Sequence, residues 1–289
     1  MRSSNNFYDY ELIDASDGMK LERWKDIILI RPDPQVIWKN HRSSSLWKEA
    51  HGIYHRSDKG GGYWETYKKI PAVWNVEYGN LTFHLKPMGF KHTGLFPEQA
   101  VNWDFVSSII KSSSREMRVL NLFGYTGAAT VSALKAGASV THVDASKGMV
   151  QWAKENAFAC CVENCPVRWL VDDCIKFVNR EIRRGNRYDI IIMDPPSYGR
   201  GPNGEVWKLE DMFDDFIRLV AQLLDDNSLC LLVNSYTAGV SPTILNFIVS
   251  KHIGEKLGGR VFTDEIGLNI TEKKAYLPCG NTTIWLKNG

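Results

Sequence analysis

The spacing of hydrophobic positions along the chain changes near residue 90. Before that point, short apolar runs alternate with turn residues, as in Ile27–Ile30, Val36–Trp38, Val73–Val76 and Leu81–Leu85. Runs of this length, bounded by proline, aspartate and glycine, are typical of β-strands. We therefore predict a small β-rich domain over residues 1–90, without long helices. Its core is expected to hold most of its tryptophans, which are Trp24, Trp38, Trp47, Trp64 and Trp74.

After residue 90, strand-like apolar runs alternate with helical patterns. The predicted strands are 118–123, 139–143, 167–171, 188–193 and 228–233, and the predicted helices are 97–110, 127–136, 147–159, 174–184, 209–224 and 242–256. Such alternation indicates parallel strands joined by crossover helices. In the tail, Lys274–Leu277 and Thr282–Leu286 predict an antiparallel hairpin around the turn Pro278–Asn281. The predicted fold class is α/β, with a doubly wound, mostly parallel seven-stranded sheet over residues 91–289.

The composition is that of a soluble globular protein, with 44% hydrophobic and 24% charged residues. A formal net charge of +2 is so small that attraction to a nucleic acid would need a local basic patch. The polar start, Met1–Tyr10, predicts no secretory signal, and no apolar run approaches the roughly 18 residues of a membrane span. The 6 cysteines are sparse and form no CxxC pair. We therefore expect a cytoplasmic protein without a metal site.

Candidate chemistry begins after the first strand of the alternating region, where Asn121–Gly127 reads Asn-Leu-Phe-Gly-Tyr-Thr-Gly. Open α/β sheets bind ligands at the carboxyl ends of their strands, and glycines let the backbone approach a ligand. Asp144 ends the next strand, where a carboxylate can bind ribose hydroxyls. Alone, this loop equally fits an ordinary turn, and Asp144 fits any nucleoside cofactor. The missing GxGxxG pattern favours a methionine-derived cofactor over a dinucleotide.

Two further strand ends carry carboxylates. Val171 is followed by Asp172 and Asp173, either of which can accept the amino group of an adenine. Asp173 has the better register, but a simple helix N-cap explains it equally well.

The most specific motif is Asp194-Pro195-Pro196-Ser197-Tyr198, directly after an apolar strand. Two prolines fix the backbone and lack N–H donors, so we expect neighbouring carbonyls to be held as acceptors with no local donor to compete for them. A planar nitrogenous base suits this motif, because its edge can meet acceptors while its face stacks on Tyr198. The alternative is that this motif is only a rigid turn. The glycine loop and Asp144, which stand at neighbouring strand ends, weaken that alternative. The following segment, Arg200–Gly204, predicts a mobile flap.

Together these motifs resemble a known family. The runs NLFGYTGAATVSALKAGA, VTHVDASKGMVQWAKENA and DPPSYGRG, with HTGLFPEQ upstream, are similar to the large-subunit ribosomal RNA methyltransferases over roughly residues 94–288. The resemblance implies a class I Rossmann-like domain, S-adenosyl-L-methionine as cofactor and RNA as substrate, with ribosomal RNA favoured. It implies cofactor contacts from Gln99 (near the methionine end), Phe123, Gly124, Tyr125, Thr126, Gly127, Asp144, Ala145, Asp173 and Asp194. The resemblance also implies that Asp194, Pro195 and Tyr198 face the substrate, and we take these three as the catalytic residues.

The chain departs from the family pattern in two places. Many members begin with an RNA-binding PUA domain, which the first ninety residues do not resemble. Members that methylate carbon 5 of cytosine carry a Ser-Cys-Ser stretch after strand five, where this chain has Tyr236 between Ser235 and Thr237. Cytosine C5 is a poor nucleophile until a thiolate adds to C6, and Cys230 is expected in the core. We therefore predict a base nitrogen as the methyl acceptor.

Basic and aromatic residues interleave between Trp38 and Ile70. They predict a phosphate-contacting and base-stacking surface, although a solvated β-sheet face is an equal alternative. The cations are Lys39, Arg42, Lys48, Arg56, Lys59, Lys68 and Lys69, opposed by Glu49, Asp58 and Glu65 and interleaved with His41, His51 and His55.

Rival interpretations remain open. They are a methyltransferase of a protein or small-molecule amine, and a non-catalytic RNA-binding module. A nicotinamide oxidoreductase is disfavoured by the missing GxGxxG and by the terminal hairpin. The sequence predicts no oligomeric state.

Overall fold

The computed structural model describes residues 1–39, 42–57, 61–200, 204, 206–237 and 239–287. The chain divides into two compact units. The first comprises Met1–Val101 and Ile266–Cys279, and the second comprises Asn102–Glu265 and Gly280–Gly289. The first unit thus extends past the expected boundary at residue 90 and includes a segment of the C-terminal tail. Both of the last two strands of the chain therefore contribute residues to each unit.

The first unit is built from short strands that are mostly antiparallel. They are β1 (Tyr10–Ser16), β2 (Met19–Trp24), β3 (Ile27–Pro32), β4 (Gly52–Arg56), β5 (Gly62–Thr66), β6 (Trp74–Tyr78) and β7 (Leu81–Leu85). The first five follow one another in a sheet, with β3 and β4 parallel, while β6 and β7 form a separate hairpin. The predicted strand at Val36–Trp38 is wrong, because the Val36 N–H donates to Asp33 O in a turn.

The two faces of this sheet differ in polarity, because successive side chains of a strand point to opposite faces. One face carries the apolar cluster Ile13, Leu21, Ile30, Trp47 and Ala50. The alternate positions of β2 and β3 carry Lys20, Glu22 and Arg31, all buried. Of the five tryptophans, Trp24, Trp47 and Trp74 are buried as expected, whereas Trp38 and Trp64 are half-buried.

An ion-pair network satisfies the buried charges of the first unit. Glu22 accepts hydrogen bonds from Arg31 Nε at 2.6 Å and Nη2 at 2.9 Å, and from the Tyr10 hydroxyl at 2.8 Å. Lys20 Nζ lies 3.4 Å from Glu22 Oε1. Burial alone would raise the pKa of Glu22, yet the charges of Arg31 and Lys20 lower it to about 2. Glu22 is therefore ionised in the folded protein.

The second unit contains the predicted doubly wound sheet. Its strands are β8 (Arg118–Leu122), β9 (Ser139–Asp144), β10 (Val167–Val171), β11 (Ile190–Met193), β14 (Cys230–Ser235), β15 (Arg260–Ile270) and β16 (Ala275–Leu286). The described strands follow the order β10-β9-β8-β11-β14-β16-β15. The first five are parallel and β16 is antiparallel to β14. The prediction of a mostly parallel seven-stranded sheet is confirmed. Two short strands, β12 (Tyr198–Arg200) and β13 (Val206–Lys208), form a separate hairpin.

The helices begin close to where the sequence predicts them. They are α1 (Ala100–Ser112), α2 (Ala128–Lys135), α3 (Lys147–Ala159), α4 (Cys174–Arg183), α5 (Leu209–Val220), α6 (Pro242–Val249) and α7 (Glu255–Leu257). Helix α2 packs on α3, while α4 packs on α5 and α5 on α6. The predicted helix 242–256 is interrupted by a π-helical turn at Ser250–Gly254. None of the helices in the described part of the chain has the length and apolar content that crossing a membrane requires.

The C-terminal hairpin differs from the predicted one. Its strands are β15 and β16, joined by a turn at Thr271–Lys273, and the predicted turn Pro278–Asn281 lies inside β16. Proline, glycine and asparagine misled the prediction because they are typical turn residues. Gly280 has a packing role instead, since a Cβ there would lie 2.8 Å from Ser235 O and 2.9 Å from Tyr236 Cδ1.

Candidate functional site

The loop after β8 adopts an unusual backbone conformation. Phe123 has φ 55°, Tyr125 has φ 50° and Gly127 has φ 81°, all in the left-handed region. Non-glycine residues seldom adopt it, and such strain persists only where the surroundings fix the backbone. Residues of this kind cluster at ligand-binding sites, so the loop itself points to a function.

Hydrogen bonds from neighbouring elements hold this loop. The Gly124 N–H donates to Val143 O of β9 at 3.0 Å. The Asn156 side-chain amide of α3 donates to Thr126 O at 2.8 Å. At Gly127 a Cβ would lie 2.6 Å from the Ala153 Cβ, so only glycine allows α2 to pack this closely on α3.

Asp144, the last residue of β9, connects the first two strand-end loops. Its Oδ2 accepts the Tyr125 N–H at 2.8 Å and its Oδ1 accepts the Ser146 N–H at 2.8 Å. Burial raises the pKa of Asp144, and the two backbone hydrogen bonds act in the opposite direction. Half-buried Ala145 separates Asp144 from Ser146, which caps α3. A carboxylate has about four lone-pair sites, so each oxygen retains capacity for a ligand hydroxyl.

His142 lies beneath the glycine loop, a feature that the sequence analysis missed. A Cβ at Gly124 would overlap the His142 imidazole, so this position must be glycine. His142 is buried, and burial lowers its pKa to about 3, which keeps it neutral. Its Nδ1 lies 2.9 Å from the Thr130 hydroxyl, which accepts the Asn121 side-chain amide at 2.9 Å. The only signal in the sequence was a histidine within a predicted strand.

The two carboxylates after β10 have different partners. Asp172 pairs with Arg180 of α4. Asp173 caps α4, because its Oδ1 accepts the Lys176 N–H at 2.9 Å. The N-cap interpretation of Asp173 is therefore confirmed, but Asp173 also lines a cavity.

This cavity has a volume of about 230 Å³ and mostly apolar walls. Its lining residues are Phe123, Asp173, Cys174, Ile175, Lys176, Val206, Trp207 and Met212. Apolar walls with a single carboxylate suit a planar base whose amino group needs an acceptor.

Trp207, on β13, joins the cavity to the Asp194–Tyr198 segment. Its indole N–H donates to Pro196 O at 2.6 Å. Its ring packs on Phe123, with ring centroids 5.2 Å apart, and on Phe216 at 5.4 Å. The expectation that no local donor competes for the carbonyls of this motif is therefore wrong for Pro196. No sequence signal indicated this contact, because Trp207 lies beyond the predicted flap. Residues 201–203 of that flap fall outside the described part of the chain.

The Asp194–Tyr198 segment follows β11 directly. Asp194 is half-buried and Pro195 is buried, while Tyr198 is exposed at the start of β12. Ser197 between them is fixed, since its carbonyl accepts the Leu209 N–H at 3.1 Å and its hydroxyl accepts the Thr237 hydroxyl at 2.7 Å. The segment thus combines a carboxylate, a restrained backbone and an accessible aromatic ring.

The residues after β14 are consistent with the sequence analysis. Cys230 is fully buried within β14, so the expectation that it belongs to the core is confirmed. The Tyr236 ring lies against Gly280 of β16. Asn234 Oδ1 accepts the Asn102 amide at 3.0 Å and the Thr282 hydroxyl at 2.8 Å.

Other predicted features lie apart from these contacts or outside the described residues. Gln99 belongs to the first unit, in a buried turn at Pro97–Gln99, and its role stays a prediction. His41, Asp58 and Lys59 of the basic region are not among the described residues. Within the described part of the chain, no group of three or more histidine, cysteine, aspartate or glutamate side chains suits a metal ion.

Strand order and strand-end chemistry together define a class. Five strands of the sheet are parallel, and an antiparallel seventh strand is inserted beside the fifth. A glycine loop follows the first strand, and an acid stands at the end of the second. This arrangement is the class I methyltransferase architecture. A family model described as S-adenosylmethionine-dependent methyltransferase matches residues 52–247. The chain belongs to this family, and its cofactor is S-adenosylmethionine.

A solved structure supports the same assignment. The S-adenosylmethionine-dependent methyltransferase from Agrobacterium tumefaciens is 34% identical, with a TM-score of 0.93, over 99% of this chain and 93% of that one.

Curated relatives include the ribosomal RNA large subunit methyltransferase K/L of Shewanella baltica, 34% identical over 76% of this chain. The enzyme of the same name from Syntrophotalea carbinolica is 29% identical over 63% of this chain. This chain spans 30% and 25% of the lengths of these two relatives.

Proposed function

We propose that this chain transfers a methyl group from S-adenosylmethionine to a base nitrogen of RNA in the cytoplasm, with ribosomal RNA as the favoured substrate. The observation that carries the proposal is the Asp194–Tyr198 segment, whose carboxylate and exposed aromatic ring are joined by Trp207 to the cavity proposed below for the adenine of the cofactor. The named relatives act on ribosomal RNA, which supports this choice of substrate. The described cysteines are all free thiols, as a reducing compartment favours.

The residues around the cavity fit S-adenosylmethionine. Asp173 would accept the adenine amino group between apolar walls that include Phe123. The unused lone pairs of Asp144 would accept the ribose hydroxyls, and the backbone from Gly124 to Gly127 would lie along the methionine part. Tyr125, Thr126 and Ala145 would complete the contacts, and Gln99 would lie near the methionine end. The cofactor supplies an already activated methyl group on a sulfonium.

The chain's own residues would align the acceptor and exclude water. Asp194 and the Pro195 carbonyl would accept hydrogen bonds from a target amine, or stabilise positive charge as it develops there. Tyr198, exposed on β12, would stack on the face of the target base. Trp207 would position these groups by holding the Pro196 carbonyl.

A nitrogen acceptor is favoured because the chain has no thiol at the position after β14. Tyr236 stands there, and Cys230 is buried in the strand. Methylation of cytosine C5 would need a thiolate that adds to C6.

The test is mass spectrometry of ribosomal RNA nucleosides, from cells with and without the protein and after incubation of unmodified RNA with the protein and S-adenosylmethionine. We expect one N-methylated base that depends on the protein. Methylation of a protein or small amine instead, or no methyl transfer at all, would contradict the proposal. RNA containing 5-fluorocytosine gives a second test, because a stable covalent adduct to any cysteine would overturn the nitrogen assignment.

A further inference from the structure

The hairpin of β4 and β5 in the first unit carries a group of ordered aromatic side chains on its surface. His55 and Tyr63 face each other across the two strands. Their rings are stacked, with centroids 5.1 Å apart and planes inclined by 27°. Tyr63 is nevertheless 63% exposed. One face of its ring is supported by the protein, and the ring remains accessible to a partner.

A carboxylate connects this stacked pair to a second tyrosine. His55 Nε2 lies 2.8 Å from Glu65 Oε2. Limited burial raises the pKa of the Tyr67 hydroxyl, and the nearby Glu65 carboxylate raises it further. Tyr67 is 57% exposed. Glu65 therefore orients His55 and through His55 supports Tyr63, while Tyr67 lies near the same carboxylate.

The exposed Tyr63 ring, held in this way, has lost part of its rotational freedom before any partner binds. Pre-ordered side chains bind more tightly because less conformational entropy remains to be lost. Strand β5 is also the last strand in the sheet order of the first unit, so this surface borders a sheet edge. We call Tyr63, Tyr67, His55 and Glu65 the tyrosine platform.

Cations flank the tyrosine platform. Arg56 is exposed at the end of β4, and Lys68 and Lys69 are exposed directly after Tyr67. Lys68 is paired with Glu49 at 2.6 Å, and Glu65, the acid within the platform, is engaged by His55. Aromatic faces combined with flanking cations match the bases and phosphates of a single nucleic acid strand. They match an aliphatic protein surface less well.

We propose that the tyrosine platform binds a single-stranded segment of the RNA substrate, with bases stacked on Tyr63 and Tyr67 and backbone phosphates near Arg56 and Lys69. The proposal rests on the RNA methyltransferase function proposed above and assigns a substrate-recognition surface to the first unit.

The first experiment measures binding of a fluorescent oligouridylate by the full chain and by Tyr63→Ala, Tyr67→Ala and Tyr63→Phe. Loss of one stacking ring should weaken binding about five- to 150-fold. Tyr63→Phe keeps the ring and should bind like the unchanged protein. Tyr8→Ala is the matched control, because Tyr8 is 83% exposed in the same unit but outside the platform, and it should bind normally.

Salt dependence tests the phosphate contacts separately. Arg56→Gln and Lys69→Gln should each reduce the slope of log affinity against log salt by about one. The tyrosine variants should leave that slope unchanged, since stacking releases no counterions. Circular dichroism and thermal unfolding of each variant establish that the first unit is folded.

Methyl transfer to ribosomal RNA by the same variants separates the two proposals. We expect Tyr63→Ala and Tyr67→Ala to raise KM for RNA with little change in kcat at saturation. If the unchanged protein methylates RNA and folded variants bind and methylate equally well, the platform proposal is wrong and the proposed function stands. If oligouridylate binding depends on both tyrosines but no RNA is methylated, the platform stands and the proposed function fails.

Discussion

The two units place carboxylates at different positions along their strands. In the second unit, Asp144 is the last residue of β9, and Asp173 and Asp194 follow the ends of β10 and β11. In the first unit, Asp14 and Glu22 lie inside β1 and β2 and are fully buried. Polar groups at strand ends can face a ligand, whereas groups within a strand must find partners in the fold.

The two aspartates Asp14 and Asp144 show this contrast most clearly. Asp14 accepts hydrogen bonds from the Trp47 indole at 2.8 Å and the Ala15 N–H at 2.8 Å, and pairs with Lys273 at 2.6 Å. Burial would raise the pKa of Asp14, but these partners lower it. The pKa of Asp144 is raised, because burial outweighs its two backbone hydrogen bonds. Burial alone therefore does not distinguish the two aspartates, whereas the direction of their pKa shifts does.

The largest effect is expected from breaking the network of the first unit. Glu22→Gln leaves the Arg31 guanidinium buried without its counter-charge and should lower the free energy of unfolding by about 3–5 kcal/mol. Urea unfolding followed by circular dichroism measures this change. Glu11→Gln is the control, because Glu11 and its partner Arg23 are partly exposed and their pair contributes only about 0–1 kcal/mol. Equal effects of the two substitutions on the free energy of unfolding would show that the buried pair of Glu22 and Arg31 contributes no more than the exposed pair.

The same network predicts a dependence of stability on acid. The pKa of Glu22 falls from 4.5 to about 2 on folding, so its ionised form stabilises the protein above pH 4.5. This contribution is lost as the pH falls from 4.5 towards 2. Glu22→Gln should flatten that part of the stability profile.

The next largest effect concerns turnover in the second unit. Asp194→Ala removes an acceptor whose interaction strengthens as charge develops on the target nitrogen, so kcat should fall on the order of 10²-fold or more. S-adenosylmethionine affinity should change little. Single-turnover methyl transfer with calorimetry of cofactor binding measures both. Full turnover by the variant, or a loss confined to cofactor binding, would make the Asp194–Tyr198 segment a structural turn.

A paired substitution tests the comparison of the two aspartates directly. Asp144→Ala should weaken S-adenosylmethionine binding by about 1.5–3 kcal/mol, roughly ten- to 150-fold, because it removes charged acceptors. Asp14→Ala should instead lower the free energy of unfolding and leave the affinity of the folded protein unchanged. Calorimetric titration measures the cofactor affinity of both variants, and thermal unfolding measures their stability. If both variants lose stability alone, Asp144 is not part of the cofactor site.

The smallest effect is expected at Trp207. Trp207→Phe keeps an aromatic ring against Phe123 but removes the donor to Pro196 O, a hydrogen bond of about 0.5–1.5 kcal/mol. We expect kcat to fall by roughly two- to tenfold with cofactor affinity retained. Trp207→Leu, which also removes the cavity wall, should weaken cofactor binding as well. Normal kcat in Trp207→Phe would show that the hydrogen bond does not position the motif.

The positions of charged residues along the strands also explain which strands could be predicted from the sequence. Strands β8 to β11 were predicted within one or two residues, because each contains valine, leucine or isoleucine in a short run between helical patterns. Strands β1 and β2 were missed, since Asp14, Lys20 and Glu22 interrupt the apolar pattern. The partners of Glu22 and Asp14 include Arg31 and Lys273, which lie elsewhere in the sequence. Local pattern carries no information about such partners.

Some residues of the candidate site could likewise be predicted from the sequence, and others could not. The positions of Asp144, Asp173 and Asp194 at strand ends were predicted correctly, because the strands could be located and parallel strands bring their ends together; their roles stay predictions. His142 and Trp207 were missed because their roles depend on contacts with Gly124 and Pro196, which only the folded chain reveals.

The division of the last two strands between the units has a consequence for the order in which the protein forms during synthesis. Strand β1 pairs with β15 at Leu12 and Ile270, and Asp14 needs Lys273. At typical translation rates, the ribosome reaches these partners about 10 to 30 seconds after it has made the first hundred residues. Throughout that interval one edge of the N-terminal sheet lacks its neighbour, and the Asp14 charge lacks a cation. The nascent first unit therefore stays incomplete until the methyltransferase sheet has been synthesised, and a fragment ending at Val101 would keep an open edge prone to aggregation.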